Sequence, residues 1–127
     1  MAARVLLDTH TLVWALSSPD RLSVRAVEII RESDVAVSVA SLWELLLKKD
    51  KPGSLLGNPV PWWEEFVRRQ GIRVIGIRQS HILQLGELPD HHRDPFDRVL
   101  IAQAIVEKAS LVSKDSALLA YDVPVIW

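Results

Sequence analysis

Asp94-Pro95-Phe96-Asp97-Arg98-Val99-Leu100-Ile101-Ala102-Gln103-Ala104-Ile105-Val106-Glu107-Lys108-Ala109 runs straight into Ser110-Leu111-Val112-Ser113-Lys114-Asp115. An aspartate before a proline is a helix start: the side chain accepts from free amides, and proline at the first helical position gives up an N–H that would have no partner there. The pattern predicts a helix over Pro95–Ala109, with Val99, Ala102, Ile105 and Val106 on its inward face. Leu111-Val112-Ser113 then reads as a short strand, followed by Lys114-Asp115.

Outward from this unit the same alternation recurs. Arg4 to Asp8, Val35 to Ser38, Ile72 to Ile75 and Val123 to Trp127 are further short apolar runs, of the kind that forms buried parallel strands. Helix candidates lie between them. One starts near Thr9 or His10 behind Asp8. Another covers Val24 to Glu32, capped by Ser23, with Val24, Val27 and Ile30 as its stripe. Ala40 to Lys49 and Pro61 to Arg69 are two more. The breakers Pro52, Gly53, Gly57, Asn58 and Pro59 make Asp50 to Pro61 a surface loop. This rhythm predicts an α/β sandwich with a mainly parallel sheet and helices on both faces. Ligands of such sheets bind beyond the carboxyl ends of the strands, near the point where strand order reverses.

The sequence has 127 residues, a size for one domain over residues 1–127. Hydrophobic residues are 49% and charged residues 24%, too apolar for a disordered chain. There is no cysteine, which excludes disulfides and thiolate metal sites and suits a reducing cytoplasm. No apolar run suits a signal segment or approaches a membrane span, so a cytoplasmic protein with no membrane partner is expected. A net charge of -1 excludes a polycation that grips nucleic acid by bulk attraction; such a substrate would need a local basic patch or bound metal ions.

The acids at strand ends come first as candidates. Asp8 closes the first run, Asp115 follows the fourth, Glu44 lies on the helix after the second, and Asp97 sits in the first turn of the Pro95 helix. Converging on one edge, they would repel and raise one another's pKa, a conflict that a divalent cation removes. Singly, each has a plainer reading. Asp8 caps a helix, Asp97 interacts with a helix dipole, Glu44 pairs with Lys48, and Asp115 initiates a turn. Glu44 fits its plain reading least, because Leu42, Trp43, Leu45, Leu46 and Leu47 make its helix apolar nearly all round.

Asp94 reads as an N-cap rather than a ligand. For Arg98 two readings stand, a phosphate clamp or an ion-pair partner of the acids. Thr9 and Ser113 offer hydroxyls to the site or serve turn and strand. His10, His91 and His92 match no common zinc spacing, which leaves roles at the surface or behind the ligands. The runs Lys48, Lys49, Lys51 and Arg68, Arg69, Arg73 are solvated faces by default and polyanion guides by exception. Trp14 and Trp43 read as core. Trp62 and Trp63 are adjacent, so one of them is expected to be partly exposed, which points to a protein interface.

Four strings occur in order: Leu6-Leu7-Asp8-Thr9-His10, Ser41-Leu42-Trp43-Glu44, His92-Arg93-Asp94-Pro95-Phe96-Asp97-Arg98 followed by Leu100-Ile101-Ala102-Gln103-Ala104, and Leu111-Val112-Ser113-Lys114-Asp115. Together they resemble PIN-domain proteins, most closely the VapC-type toxins of toxin–antitoxin pairs. The resemblance spans essentially the whole chain. It implies a three-layer α/β/α fold and an endoribonuclease dependent on Mg²⁺ or Mn²⁺. Carried over by position, the acidic site is Asp8, Glu44, Asp97 and Asp115, with Ser113 where members commonly have threonine. It also implies a homodimer and an antitoxin whose C-terminal segment inserts near the site. Rival readings are a non-catalytic PIN-like binding module, a phosphoacceptor receiver domain, and a haloacid-type phosphatase. The receiver needs paired acids after the first strand, where Thr9 follows Asp8. The phosphatase needs an aspartate at His10.

Overall fold

The computed structural model describes residues 3–54 and 56–127. Its centre is a sheet of parallel strands β1 (Arg4–Leu7), β2 (Asp34–Ser38), β3 (Arg73–Ile75), β4 (Ser110–Val112) and β5 (Val125–Ile126), in spatial order β3-β2-β1-β4-β5. The chain first grows outward through β2 and β3, then returns past β1 to add β4 and β5. The order therefore reverses between β1 and β4, where Leu7 is paired with Val112. Each strand ending there delivers its following residues into the crevice.

Strand alternation sorts the core into two layers. Leu6, Ala36 and Leu111 pack on one face with Leu100, Ile101 and Ala104 of helix α6 (Pro95–Glu107). Val5, Leu7, Val35, Val37 and Val112 pack on the other. That second face is covered by Leu12 of α1 (Thr9–Ser17), Ala26 of α2 (Val24–Glu32), and Trp63 and Phe66 of α4 (Trp63–Gln70). Helix α3 (Val39–Leu47) follows β2 and contributes Ala40 to the first layer. Leu6, Leu100, Ile101 and Leu111 are at most 1% exposed, so each stabilises the fold by about 1.5–3 kcal/mol relative to exposure.

Local chemistry sets the ends of these helices. Asp94 accepts from the amides of Phe96 (2.9 Å) and Asp97 (3.1 Å), and Ser23 accepts from Ala26 N–H, so both expected N-caps are in place. Gly71 closes α4 at φ 61°, a left-handed position that suits a residue without Cβ.

One element was not expected, and the readings of α6, Val24 and Trp43 are adjusted. A helix α5 (Gln79–Glu87), which periodicity alone does not announce, packs against α6. Leu100 to Ala104 are all buried, so the inward face of α6 is wider than the expected stripe, of which Ala102 is buried and Val99 and Ile105 pack against the core. Val24 is 77% exposed; Ala26 takes the inward position on α2. Trp43 is 55% exposed and meets Phe96 edge-on at 5.1 Å. The helix it shares with Glu44 turns Ala40, Ser41 and Glu44 inward and leaves Trp43 and Leu47 outside. Among the described residues, no helix is long and apolar enough to cross a membrane.

Candidate metal centre

Asp8 is the first residue past β1 and is 4% exposed. Its Oδ1 accepts from Thr11 N–H at 2.8 Å, which caps α1. Its Oδ2 accepts from the Ser113 hydroxyl at 2.5 Å. Capping and site placement are therefore one arrangement rather than alternatives. Ser113 ties the two strand ends together, because its Oγ also accepts from Asp115 N–H at 3.1 Å. Asp115 accepts from Ala117 N–H at 2.9 Å and starts the turn over Ser116–Ala120, as its plain reading expects.

Glu44 comes to the same edge on α3 and is 5% exposed. Lys48 donates to its Oε2 at 2.6 Å. The expected i,i+4 pair thus forms, but on a buried acid. Glu44 Oε1 is buried and has no hydrogen-bond partner among the described residues. A buried carboxylate oxygen without a donor is costly.

Asp97 lies in the first turn of α6. Burial first, then the charges of Asp94, Asp8 and Glu44, push its carboxyl up to about 6, against a smaller opposing pull from His92. Asp115 moves the other way. Burial raises it, but the Ala117 N–H and the hydrogen bond and charge of His92 outweigh that and hold it below the usual range. The Lys48 ammonium is raised chiefly by its bond to Glu44, with Asp94 and Asp97 adding. Asp8, Glu44, Asp94 and Asp97 therefore share one field. His92, Asp97 and Asp115 form the tightest group, each offering an atom within 4.8 Å of the others. His92 Nε2 lies 3.0 Å from Asp115 Oδ2 and 3.4 Å from Asp97 Oδ2.

The donor set fits a hard divalent cation. It is rich in carboxylate oxygen, carries one unsatisfied buried oxygen at Glu44, and contains an aspartate that its neighbours resist ionising.

Other expected contributors lie elsewhere. Thr9 Oγ1 hydrogen-bonds Ser41 Oγ at 2.9 Å rather than an acid. Arg98 neither pairs with the site carboxylates nor stands free for phosphate. Its Nη1 donates to Pro89 O at 2.9 Å and to Tyr121 Oη at 3.2 Å, with Asp90 3.6 Å away. Arg68 and Arg69 pair with Glu65, and Arg73 with Asp34, so that run is a solvated, ion-paired face. Lys51, with Lys48, lines an open cavity of about 460 Å³ beside Thr9, Trp14 and Glu44. Trp62 is half-buried while Trp63 is buried. Sequence reasoning missed Tyr121, whose phenol oxygen accepts from the backbone amides of His91 (3.1 Å) and His92 (2.7 Å). Its signal was its being the one tyrosine in the chain.

Residues 5–124 match the PIN domain family. The chain belongs to the PIN-domain family. This PIN domain is 34% identical over 122 residues to Ribonuclease VapC22 of Mycobacterium tuberculosis, covering 94% of this chain and 93% of that protein. Its fold is similar to a chain of the DNA-bound VapBC from Salmonella typhimurium, with a TM-score of 0.74 at 15% identity and 98% and 97% of the two chains covered. It also resembles a chain of a toxin–antitoxin complex from Klebsiella pneumoniae, with a TM-score of 0.63 at 16% identity over 97% and 96% of the chains. Membership of the PIN family removes the receiver-domain and haloacid-phosphatase readings.

Proposed function

We propose that the chain is a metal-dependent endoribonuclease, the toxin of a toxin–antitoxin pair, acting as one domain over residues 1–127. The observation that carries this reading is Glu44 Oε1, buried and without a partner among the described residues, near Asp97, whose carboxyl is pushed up to about 6 by burial first and then by the charges of Asp94, Asp8 and Glu44. A crevice so short of positive charge is suited to a divalent cation. The relative named a ribonuclease supports RNA as the substrate class. Asp8, Glu44 and Asp97 hold Mg²⁺ or Mn²⁺, directly or through water, and Asp115 assists.

A divalent cation at such a site supplies a bound water of lowered pKa and a counter-charge for a phosphodiester transition state. The protein's own part is orientation. Thr11 N–H and Ser113 fix Asp8, Lys48 fixes Glu44 by one oxygen, and Asp94 fixes the first turn that carries Asp97. Groups held before the substrate arrives need no reorganisation during reaction.

The solved relatives described as VapBC and as a toxin–antitoxin complex support an antitoxin partner. The exposed Trp43 and Leu47 on α3 offer apolar surface to an antitoxin or to a second copy in a homodimer. The cytoplasm, where RNA is met, is the proposed compartment. The test is incubation of purified protein, freed of co-purified antitoxin, with total bacterial RNA in Mg²⁺, Mn²⁺ or EDTA, with Asp97→Asn alongside. Discrete fragments are expected only from the unaltered chain with metal. Fragments in EDTA, or undiminished cutting by Asp97→Asn, overturn the reading.

A further inference from the structure

The imidazole of His92 lies against two of the candidate ligands, and its two nitrogens have different partners. Nδ1 is 3.0 Å from the backbone N–H of Asp94. An amide nitrogen can only donate, so Nδ1 must present its lone pair. A neutral imidazole carries one N–H, and the proton is therefore on Nε2. That nitrogen is the one 3.0 Å from Asp115 Oδ2 and 3.4 Å from Asp97 Oδ2. Ligation of a cation through Nε2 would need the proton on Nδ1, facing the Asp94 N–H and leaving that amide without its acceptor.

The loop that carries the ring is tied down on both sides. Tyr121, 5% exposed, accepts from His91 and His92 N–H and from Arg98 Nη1. Arg98 also donates to Pro89 O. Asp94, whose own N–H sets the ring, caps the helix on which Asp97 sits. One short segment therefore fixes the tautomer of His92 and the placement of Asp97 together.

We propose that His92 is a positioning residue, an Nε2–H donor that holds Asp115 and directs its N–H edge at Asp97, and is not itself a ligand to the cation. This rests on the reading above that the carboxylates hold a divalent ion. It assigns Tyr121 and Arg98 to the support of His92. It also leaves an all-oxygen donor set, which favours Mg²⁺ or Mn²⁺ over ions that seek imidazole.

The test reads the ring directly. Long-range ¹H–¹⁵N spectra of the full chain are recorded where an ordinary imidazole is neutral, with and without saturating Mg²⁺; His92→Gln identifies the signals. A bare Nδ1 and a protonated Nε2 are expected in both states. A protonated Nδ1 with a bare Nε2 in Mg²⁺ overturns the proposal. Mn²⁺ titration followed by electron paramagnetic resonance supplies the second readout. His92→Ala should weaken Mn²⁺ binding about 10–100-fold, and His92→Gln, which keeps an N–H donor, should recover most of it. Equal affinity in all three proteins, or a Gln variant as weak as the Ala variant, overturns the donor role while the metal reading stands. Absence of Mn²⁺ binding by the unaltered chain instead defeats the metal reading on which the proposal rests.

Discussion

Burial first, and then the neighbouring acids, set the titration of Asp97. Its carboxyl is raised from 3.8 to about 6 in the folded protein, so the ionised form is disfavoured by folding. That penalty is present above pH 6 and is relieved as pH falls from about 6 toward 3.8. The metal-free protein should therefore gain stability on mild acidification, by about 1–3 kcal/mol in all, as urea unfolding at several pH values would read. Asp97→Asn should flatten this dependence and stabilise the metal-free chain, yet lower RNA cleavage on the order of 10³-fold. A variant both less stable and fully active would contradict the placement. Much at this scale was legible in sequence. Asp8, Asp97 and Asp115 stood out because each follows a strand or opens a helix beyond the sheet edge, and Glu44 because it is the one acid on the apolar helix after β2. The partners of Arg98 and Thr9 were not legible, because Tyr121 and Ser41 are remote in sequence. Trp43 misled for a different reason: an apolar helix does not say which side its one acid will face.

The least legible element is α5, and the cause is visible in what secures it. No side chain of the usual capping type precedes it; Arg78 stands at the cap, and His81 reaches back to accept from Arg78 N–H at 3.0 Å. His81 is 1% exposed and also meets Gln103 Nε2 at 3.3 Å, which donates to Gly76 O as well. Gln103 Oε1 already lacks a partner among the described residues, so this buried polar network is sensitive to the loss of any further one. His81→Leu should therefore destabilise the fold by about 1–3 kcal/mol, since it removes the acceptor of Arg78 N–H and one of the two partners of Gln103 Nε2. Denaturant unfolding would measure this, and a change within error would show that α5 is held by apolar contact alone. By contrast, β1, β2, α2, β4 and α6 were legible because local signals agreed with the fold: Ser23 and Asp94 cap as written, and short valine-rich runs are buried on both faces. On α6 the expected Ala102, Val99 and Ile105 do meet the core, but the burial of Leu100, Ile101, Gln103 and Ala104 was hidden, because a neighbouring α5 widens the face beyond the stripe on which periodicity depends.

For the whole molecule, a net charge of -1 limits how RNA can be held. Several of the basic residues are already paired to nearby acids, among them Lys48, Lys49, Arg68, Arg69 and Arg73. Without metal, RNA binding should be weak, and its dependence on salt shallow, corresponding to few neutralised phosphates. Mg²⁺ should strengthen binding at constant ionic strength. Filter binding across a salt series with and without EDTA would check this; tight, steeply salt-dependent binding in EDTA would point instead to a basic surface. We propose above that the crevice between β1 and β4 holds a divalent cation through Asp8, Glu44 and Asp97. The most direct test is a crystal structure of the protein grown with Mn²⁺, read by anomalous scattering. A peak is expected among those carboxylates, with Glu44 Oε1 engaged and His92 Nε2 still on Asp115. No peak there, or one coordinated by His92, would contradict this proposal.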